Sequence, residues 1–217
     1  MGTDNLFHKR KARKNQRKTA YRQEYDKVLI VCEGEKTEPN YFKELINHYK
    51  ISSANVKVDG RCGSSPKCVL EFAQRLDKEE KEKGDAYNRV YCVIDRDTHA
   101  CYDETITKIQ NKESFYAANS VPCFEYWLLL HFNYSTKPYS NKGNSSIANE
   151  VLKDLKQYLP NYKKGTKDIF NQTQQDLKFA INNAKRSLDQ ATKNNTDNPS
   201  TNVHELVEYL KNLKRKI

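Results

Sequence analysis

Two short apolar runs punctuate the first half of the chain, Lys27-Val-Leu-Ile-Val-Cys32 and Arg89-Val-Tyr-Cys-Val-Ile-Asp95. Neither alternates with polar residues, and both are rich in β-branched side chains, the pattern of strands buried on both faces of a sheet. After the first run, Tyr41, Phe42, Leu45, Ile46 and Tyr49 recur at helical spacing. Thr37-Glu38-Pro39 reads as the cap and first turn of that helix. Val56 and Val58 alternate and predict a second short strand. Ser65-Pro66 opens a further helix, with Val69, Leu70, Ala73 and Leu76 on its inner face. The spacing then predicts a helix over about 103–112 and a strand over 115–119. Residues 120–132 read as a loop running into an apolar helix, with Pro122 near its start.

Beyond Phe132 the pattern changes. Residues 133–146 are rich in Asn, Ser, Lys and Gly and predict a loop. Helical patterns follow over about 147–158, 173–193 and 202–215, with 194–200 as a polar connector. The last helix shows Val203, Leu206, Val207, Leu210 and Leu213, capped by Thr201. Strands alternating with helices imply βαβ units. The expected fold is therefore α/β: a mostly parallel sheet flanked by helices over 27–132, a helical region over 133–217 packing on it, and a distinct segment over 1–26.

Composition sharpens that first segment. The 217 residues hold 38 Lys and Arg against 28 Asp and Glu, a net charge of +10. Residues 1–27 supply +6 of it, because Lys9, Arg10, Lys11, Arg13, Lys14, Arg17, Lys18, Arg22 and Lys27 face Asp4, Glu24 and Asp26. Few apolar residues interrupt this stretch, which predicts a basic arm suited to nucleic-acid phosphates. Aromatic residues make up 11% of the chain and argue against global disorder. No run approaches the roughly 18 apolar residues of a membrane span, and the N-terminus is charged where a signal peptide is apolar. These features predict a soluble, cytoplasmic protein. Six cysteines without a C-x-x-C predict free thiols.

The candidate chemistry lies where the apolar runs end. One ends at Glu33, the other at Asp95 with Asp97 two residues on. In open parallel sheets, ligands bind beyond the carboxyl ends of the strands. In extended chain Asp95 and Asp97 point to one side, ~6.6 Å apart, and neighbouring strands would bring Glu33 within ~5 Å of Asp95. Such carboxylates repel one another unless a cation neutralises them, and hard oxygen ligands suit Mg²⁺ or Mn²⁺. The bland alternative is that the three acids begin turns and cap helices. Gly34 would let the backbone turn tightly and a phosphate approach. Lys36 and Arg96 would neutralise a phosphate in a transition state, or are ordinary solvated charges.

Three blocks in this order resemble the RloB family: Val28 to Phe42 through Glu33-Gly34, Val93-Ile94-Asp95-Arg96-Asp97, and Pro122-Cys-Phe-Glu125-Tyr-Trp127-Leu-Leu-Leu-His131-Phe132. Asn198-Pro-Ser-Thr201-Asn-Val203 matches that family's C-terminal pattern as well. The resemblance implies a Toprim-like core and a setting in bacterial defence or restriction-linked loci, often beside an ATPase. Carried over, the Toprim acid falls on Glu33 and the D-x-D on Asp95 and Asp97. The glutamate would act as general acid/base or metal ligand, and the aspartates would hold Mg²⁺. Glu125 would complete the site, and His131 would bind phosphate or pack in the core. The two lie six residues apart, roughly 600° around a straight helix, and so need not act together.

The leading expectation is a metal-dependent nuclease in anti-phage defence, acting on DNA or RNA through Glu33, Asp95, Asp97 and Glu125. Nucleotidyl transfer would use the same acids. A phosphatase of the HAD kind would use Asp95 as nucleophile, but His99 stands where that motif wants Thr or Val. A third class is a non-catalytic module that binds nucleic acid through the arm.

Overall fold

The computed structural model describes residues 26–53, 55–97 and 99–213. The basic residues Lys9, Arg10, Lys11, Arg13, Lys14, Arg17, Lys18 and Arg22 lie outside the described residues. Five strands form one sheet: β1 (Val28–Cys32), β2 (Val56–Asp59), β3 (Arg89–Asp95), β4 (Phe115–Val121) and β5 (Ser200–Thr201). Their order is β2-β1-β3-β4-β5. The first four run parallel, and β5 is antiparallel to β4. The helices are α1 (Thr37–His48), α2 (Pro66–Glu82), α3 (Tyr102–Gln110), α4 (Phe124–Leu129), α5 (Ile147–Leu155), α6 (Ile169–Thr173), α7 (Leu177–Lys193) and α8 (Val203–Leu213). The chain is thus α/β, with a mostly parallel sheet flanked by helices and a helical C-terminal region.

Every residue of β1 is fully buried, and successive side chains enter different cores. Val28, Ile30 and Cys32 pack with Tyr41, Phe42 and Leu45 of α1. Leu29 and Val31 pack with Val69, Leu70, Ala73 and Leu76 of α2. In β3, Tyr91 and Val93 join the first core while Val90, Cys92 and Ile94 join the second. Helices on both faces explain why these strands read as continuous apolar runs. Burying each Val, Leu or Ile contributes about 1.5–3 kcal/mol.

The C-terminal helices share the α1 core through Val151, Leu155, Phe170, Leu177, Val203, Leu206 and Leu210. At its centre lies α4, whose six residues are all buried. Five of the six are apolar, as suits a helix inside a protein, and Glu125 is the exception. Tyr41 of α1 meets Phe124, Trp127, His131 and Phe170 edge-on, with ring centroids 5.3–6.4 Å apart.

Three local features differ from the sequence expectation. Helix α1 begins at Thr37 with Lys36 at the N-cap and no side-chain cap, so Pro39 stands at its third residue. The Thr37 hydroxyl instead accepts the Gly165 N–H at 2.8 Å. The connector after α7 contains β5, which carries no apolar period. Polar pairing places it: the Ser120 and Thr201 hydroxyls lie 3.0 Å apart, and Asn202 Oδ1 accepts from the Asn119 N–H at 2.6 Å. Thr201 also accepts the Val203 N–H at the start of α8, at 3.2 Å. Helix α6 lacks a sequence period because it is a single short turn.

Topology distinguishes the two ends of the sheet. Strand β1 has β2 on one side and β3 on the other, so connections leave in opposite directions and open a crevice at the carboxyl ends of β1 and β3. At the amino end of β1, Tyr209 of α8 donates to Asp26 Oδ2 at 2.6 Å, and Lys27 binds Glu80 and Asp85. Asp26, the first described residue, therefore stands at the pole away from that crevice. No helix among the described residues is long and apolar enough to cross a membrane.

Candidate active site

The crevice is a cleft of about 310 Å³ lined by Glu33, Gly34, Lys36, Thr37, Glu38, Ser64, Asp95, Asp97, Glu125, Lys164 and Gly165, with Glu35 at its rim. Four predicted acids thus come together, joined by Glu38 and one lysine that sequence reasoning missed. A second hollow, of about 440 Å³, lies at the amino end around Lys27, Asn55, Lys57 and Glu80 and gathers no such cluster.

Adjacency of β1 and β3 sets Glu33. Its backbone N–H donates to the Val93 carbonyl at 3.0 Å, which continues the parallel ladder past Cys32. Its Oε2 accepts the Asp95 N–H at 3.1 Å, and its Oε1 lies 3.1 Å from His99 Nε2. Burial raises its proton affinity above the carboxylate norm, and the Asp95 N–H and His99 oppose the shift. His99 is thus a partner of the site acid, a role nothing in its sequence setting signalled.

Asp95 ends β3 at the cleft floor. Its carboxyl titrates well above the usual range, through burial first and then the charges of Glu38, Glu125, Glu33 and Asp97. Asp97 reaches the cleft differently from the expected extended alternation. The Arg96 N–H bonds the Ser120 carbonyl and the Asp97 N–H bonds the Pro122 carbonyl. Asp97 itself turns into the left-handed region at φ 36°. The D-x-D is therefore a strand end followed by a turn. Burial raises the Asp97 carboxyl as well, against Lys164 and His99.

Glu38, 6% exposed in the first turn of α1, is held at about 7. Burial is the main cause, its own backbone N–H works against it, and Glu125 and Glu33 add to it. Gly34 makes room for this side chain: a Cβ there would lie 2.2 Å from Glu38 Oε2. The glycine thus serves the packing of an acid against the β1–α1 turn. Glu125, 2% exposed in α4, accepts a hydrogen bond from the Tyr162 hydroxyl at 3.1 Å.

Lys164 comes from the segment between α5 and α6. Burial works against its charge, but Glu125, Cys123, Asp95 and Asp97 outweigh that and strengthen its hold on the proton. Besides the bond from its N–H to Thr37, Gly165 accepts from Asn40 Nδ2 at 3.3 Å through its carbonyl. The Lys36 stem packs where a Gly165 Cβ would stand, at 3.1 Å. No periodic pattern announced this segment, since its link to α1 spans more than 120 residues of chain.

Two predicted residues fall elsewhere. Arg96 turns toward the connector after α7, where it pairs with Asp197 and lies over the Tyr102 ring at 5.6 Å. It does not face the carboxylates. His131 is 1% exposed in the aromatic core, with Nδ1 3.1 Å from the Trp127 carbonyl, and does not line the cleft. Burial lowers its imidazole to about 4, so it stays neutral there. The leucines and Trp127 around it in sequence are core residues, and His131 follows them inward.

The donor chemistry suits a hard divalent cation: five acids besides Glu35 at the rim, two lysines (Lys36 and Lys164) among them, and four carboxyls held above their normal range by burial and mutual repulsion. As the side chains stand, no group of three His, Cys, Asp or Glu among the described residues encloses a metal position. Closing such a site requires the acids to draw together.

A family model described as RloB-like protein matches residues 28–210. No curated protein and no solved structure matches the chain.

Proposed function

The chain belongs to the RloB-like protein family, and from that premise we propose that it is a divalent-metal-dependent nuclease that hydrolyses phosphodiester bonds at the carboxylate cleft. One observation carries this reading. Glu33, Glu38, Asp95, Asp97 and Glu125 converge with Lys164 at the switch point of the sheet. Burial and neighbouring like charge strengthen a carboxyl's hold on its proton unless a cation neutralises it, and Glu38, held at about 7, shows the effect.

Glu33, Asp95 and Asp97 are the residues that would hold Mg²⁺ or Mn²⁺, with Glu125 beside them. A divalent cation held there would supply charge stabilisation and lower the pKa of a water. Hydrolysis adds a water's oxygen to phosphorus, breaks the ester P–O bond and releases that oxygen as an alcohol after it takes a proton from solvent. Lys164, and Lys36 at the cleft edge, present positive charge to the phosphate as negative charge develops on it. Glu33, bridged to the Asp95 N–H and His99, would take the proton that the attacking water loses where it is not itself a metal ligand. The arm before Asp26 would add phosphate contacts that carry no sequence preference. The resemblance to Toprim proteins of defence loci supports an anti-phage role and a partner ATPase.

The test is a cleavage assay on DNA, total RNA and tRNA with Mg²⁺ or Mn²⁺. Glu33→Gln and Asp95→Asn abolish cleavage, while anisotropy shows nucleic-acid binding largely intact. Cleavage that persists in both purified variants overturns the assignment.

A further inference from the structure

We propose that Glu44 is a positioning residue that acts through Lys164, holding residues 162–168 as a strap across the mouth of the cleft. The proposal rests on the nuclease reading for its kinetic part and on geometry alone for the rest.

Glu44 lies on α1 seven residues beyond Thr37, about 10 Å along the axis at 1.5 Å per residue. It does not line the cleft. Both its carboxylate oxygens are used: Oε1 accepts the Asp168 N–H at 2.6 Å, and Oε2 accepts the Phe170 N–H at 2.8 Å. Charge-assisted bonds of this kind are the stronger class. Between them the backbone of Asp168 is left-handed at φ 66°, a turn that Asp tolerates better than most residues other than glycine. Phe170 is fully buried and meets Tyr41 and His48 of α1 edge-on at 5.3 and 5.5 Å. The trailing end of the strap is therefore fixed to α1.

The leading end is fixed to the cleft. Tyr162 donates to Glu125, and Gly165 bonds Thr37 through its N–H and Asn40 through its carbonyl. Lys164 sits between these attachments. Helix α1 is thus a common frame: its first turn supplies Glu38 to the acids, and its later turns set where the opposing ammonium stands. Releasing Glu44 removes both hydrogen bonds that hold this end of the strap, leaving Phe170 packing alone, while the chemistry of every group that lines the cleft is unaltered.

The experiment uses the full chain with Glu44→Ala, Glu44→Gln and Lys164→Met. Acetylation of the Lys164 amine, read by mass spectrometry, proceeds several-fold faster in Glu44→Ala and at an intermediate rate in Glu44→Gln, which keeps one acceptor. In the Mg²⁺ cleavage assay Glu44→Ala lowers kcat by roughly tenfold or more, as displacing a catalytic group by an ångström does, with KM within about twofold. Because Glu44 acts through Lys164, adding Glu44→Ala to Lys164→Met costs nothing further. Unchanged Lys164 acetylation in Glu44→Ala overturns the proposal, and so do losses that multiply in the double variant. If the wild-type chain cleaves no nucleic acid, the nuclease reading fails and the acetylation rate alone decides the positioning role. If Glu44→Ala does not fold, Glu44→Gln carries the same comparison.

Discussion

Replacing Glu38 by glutamine isolates the electrostatic cost of the cleft. The folded chain holds this carboxyl at about 7, against an ordinary 4.5. At about 1.4 kcal/mol for each tenfold change in proton affinity, that gap amounts to about 3 kcal/mol once both states are ionised. The sign follows from proton uptake. The folded state binds the proton more tightly, so its advantage is complete below the unfolded value and is lost as pH rises through 7. The glutamine side chain keeps an oxygen for the N–H in the first turn of α1 and never ionises. In metal-free buffer at pH 8, Glu38→Gln should therefore be more stable than wild type by about 3 kcal/mol, and at pH 5 by under about 1 kcal/mol. For a chain of this length the first figure is a Tm rise of about 6–12 °C. Urea unfolding at the two pH values, followed by circular dichroism, measures it. Added Mg²⁺ should then raise the stability of wild type more than that of the variant, because a bound cation offsets the charge the variant lacks. A variant no more stable than wild type at pH 8 refutes the account of the cleft as a store of unfavourable like charge.

Lys164→Met, similar in volume and uncharged, should reduce kcat by about 10²-fold or more with a smaller change in KM, as measured in single-turnover cleavage. It should also lower thermal stability in metal-free buffer, since the acids lose the cation that opposes them. Deleting residues 1–22 removes eight of the chain's lysines and arginines. Plots of log affinity against log salt for duplex DNA should flatten by up to about 7 in slope, while Mg²⁺ titration by calorimetry is unchanged.

Much of the fold was legible because burial on both faces writes itself into sequence. The runs ending at Cys32 and Asp95 are apolar throughout since helices cover each side of the sheet. The acids at their ends were legible for the same reason, as charge at the end of a buried strand. Glu38 was hidden because an acid in a first helical turn ordinarily serves the helix dipole. Lys164 was hidden among neighbouring Lys163 and Lys167, and only folding selects which one meets Glu125. Strand β5 escaped because hydroxyls and amides pair it to β4. His131 and Arg96 stand beside site residues in sequence but leave in other directions, one into the aromatic core and one to Asp197. Adjacency along the chain says little about a side chain's destination once a strand has given way to a turn or a helix.

The tie between Asp26 and Tyr209 fixes the start of the described fold at a set distance from the carboxylates. The five residues of β1 separate that start from the carboxylates by about 17 Å, at ~3.3 Å per residue. Phosphates on one strand of a duplex repeat every ~3.4 Å along its axis. On the nuclease reading, a duplex held beside Asp26 and cut at Asp95 would span about five base pairs between the two points. An oligonucleotide shorter than that would not reach from Asp26 to the carboxylates.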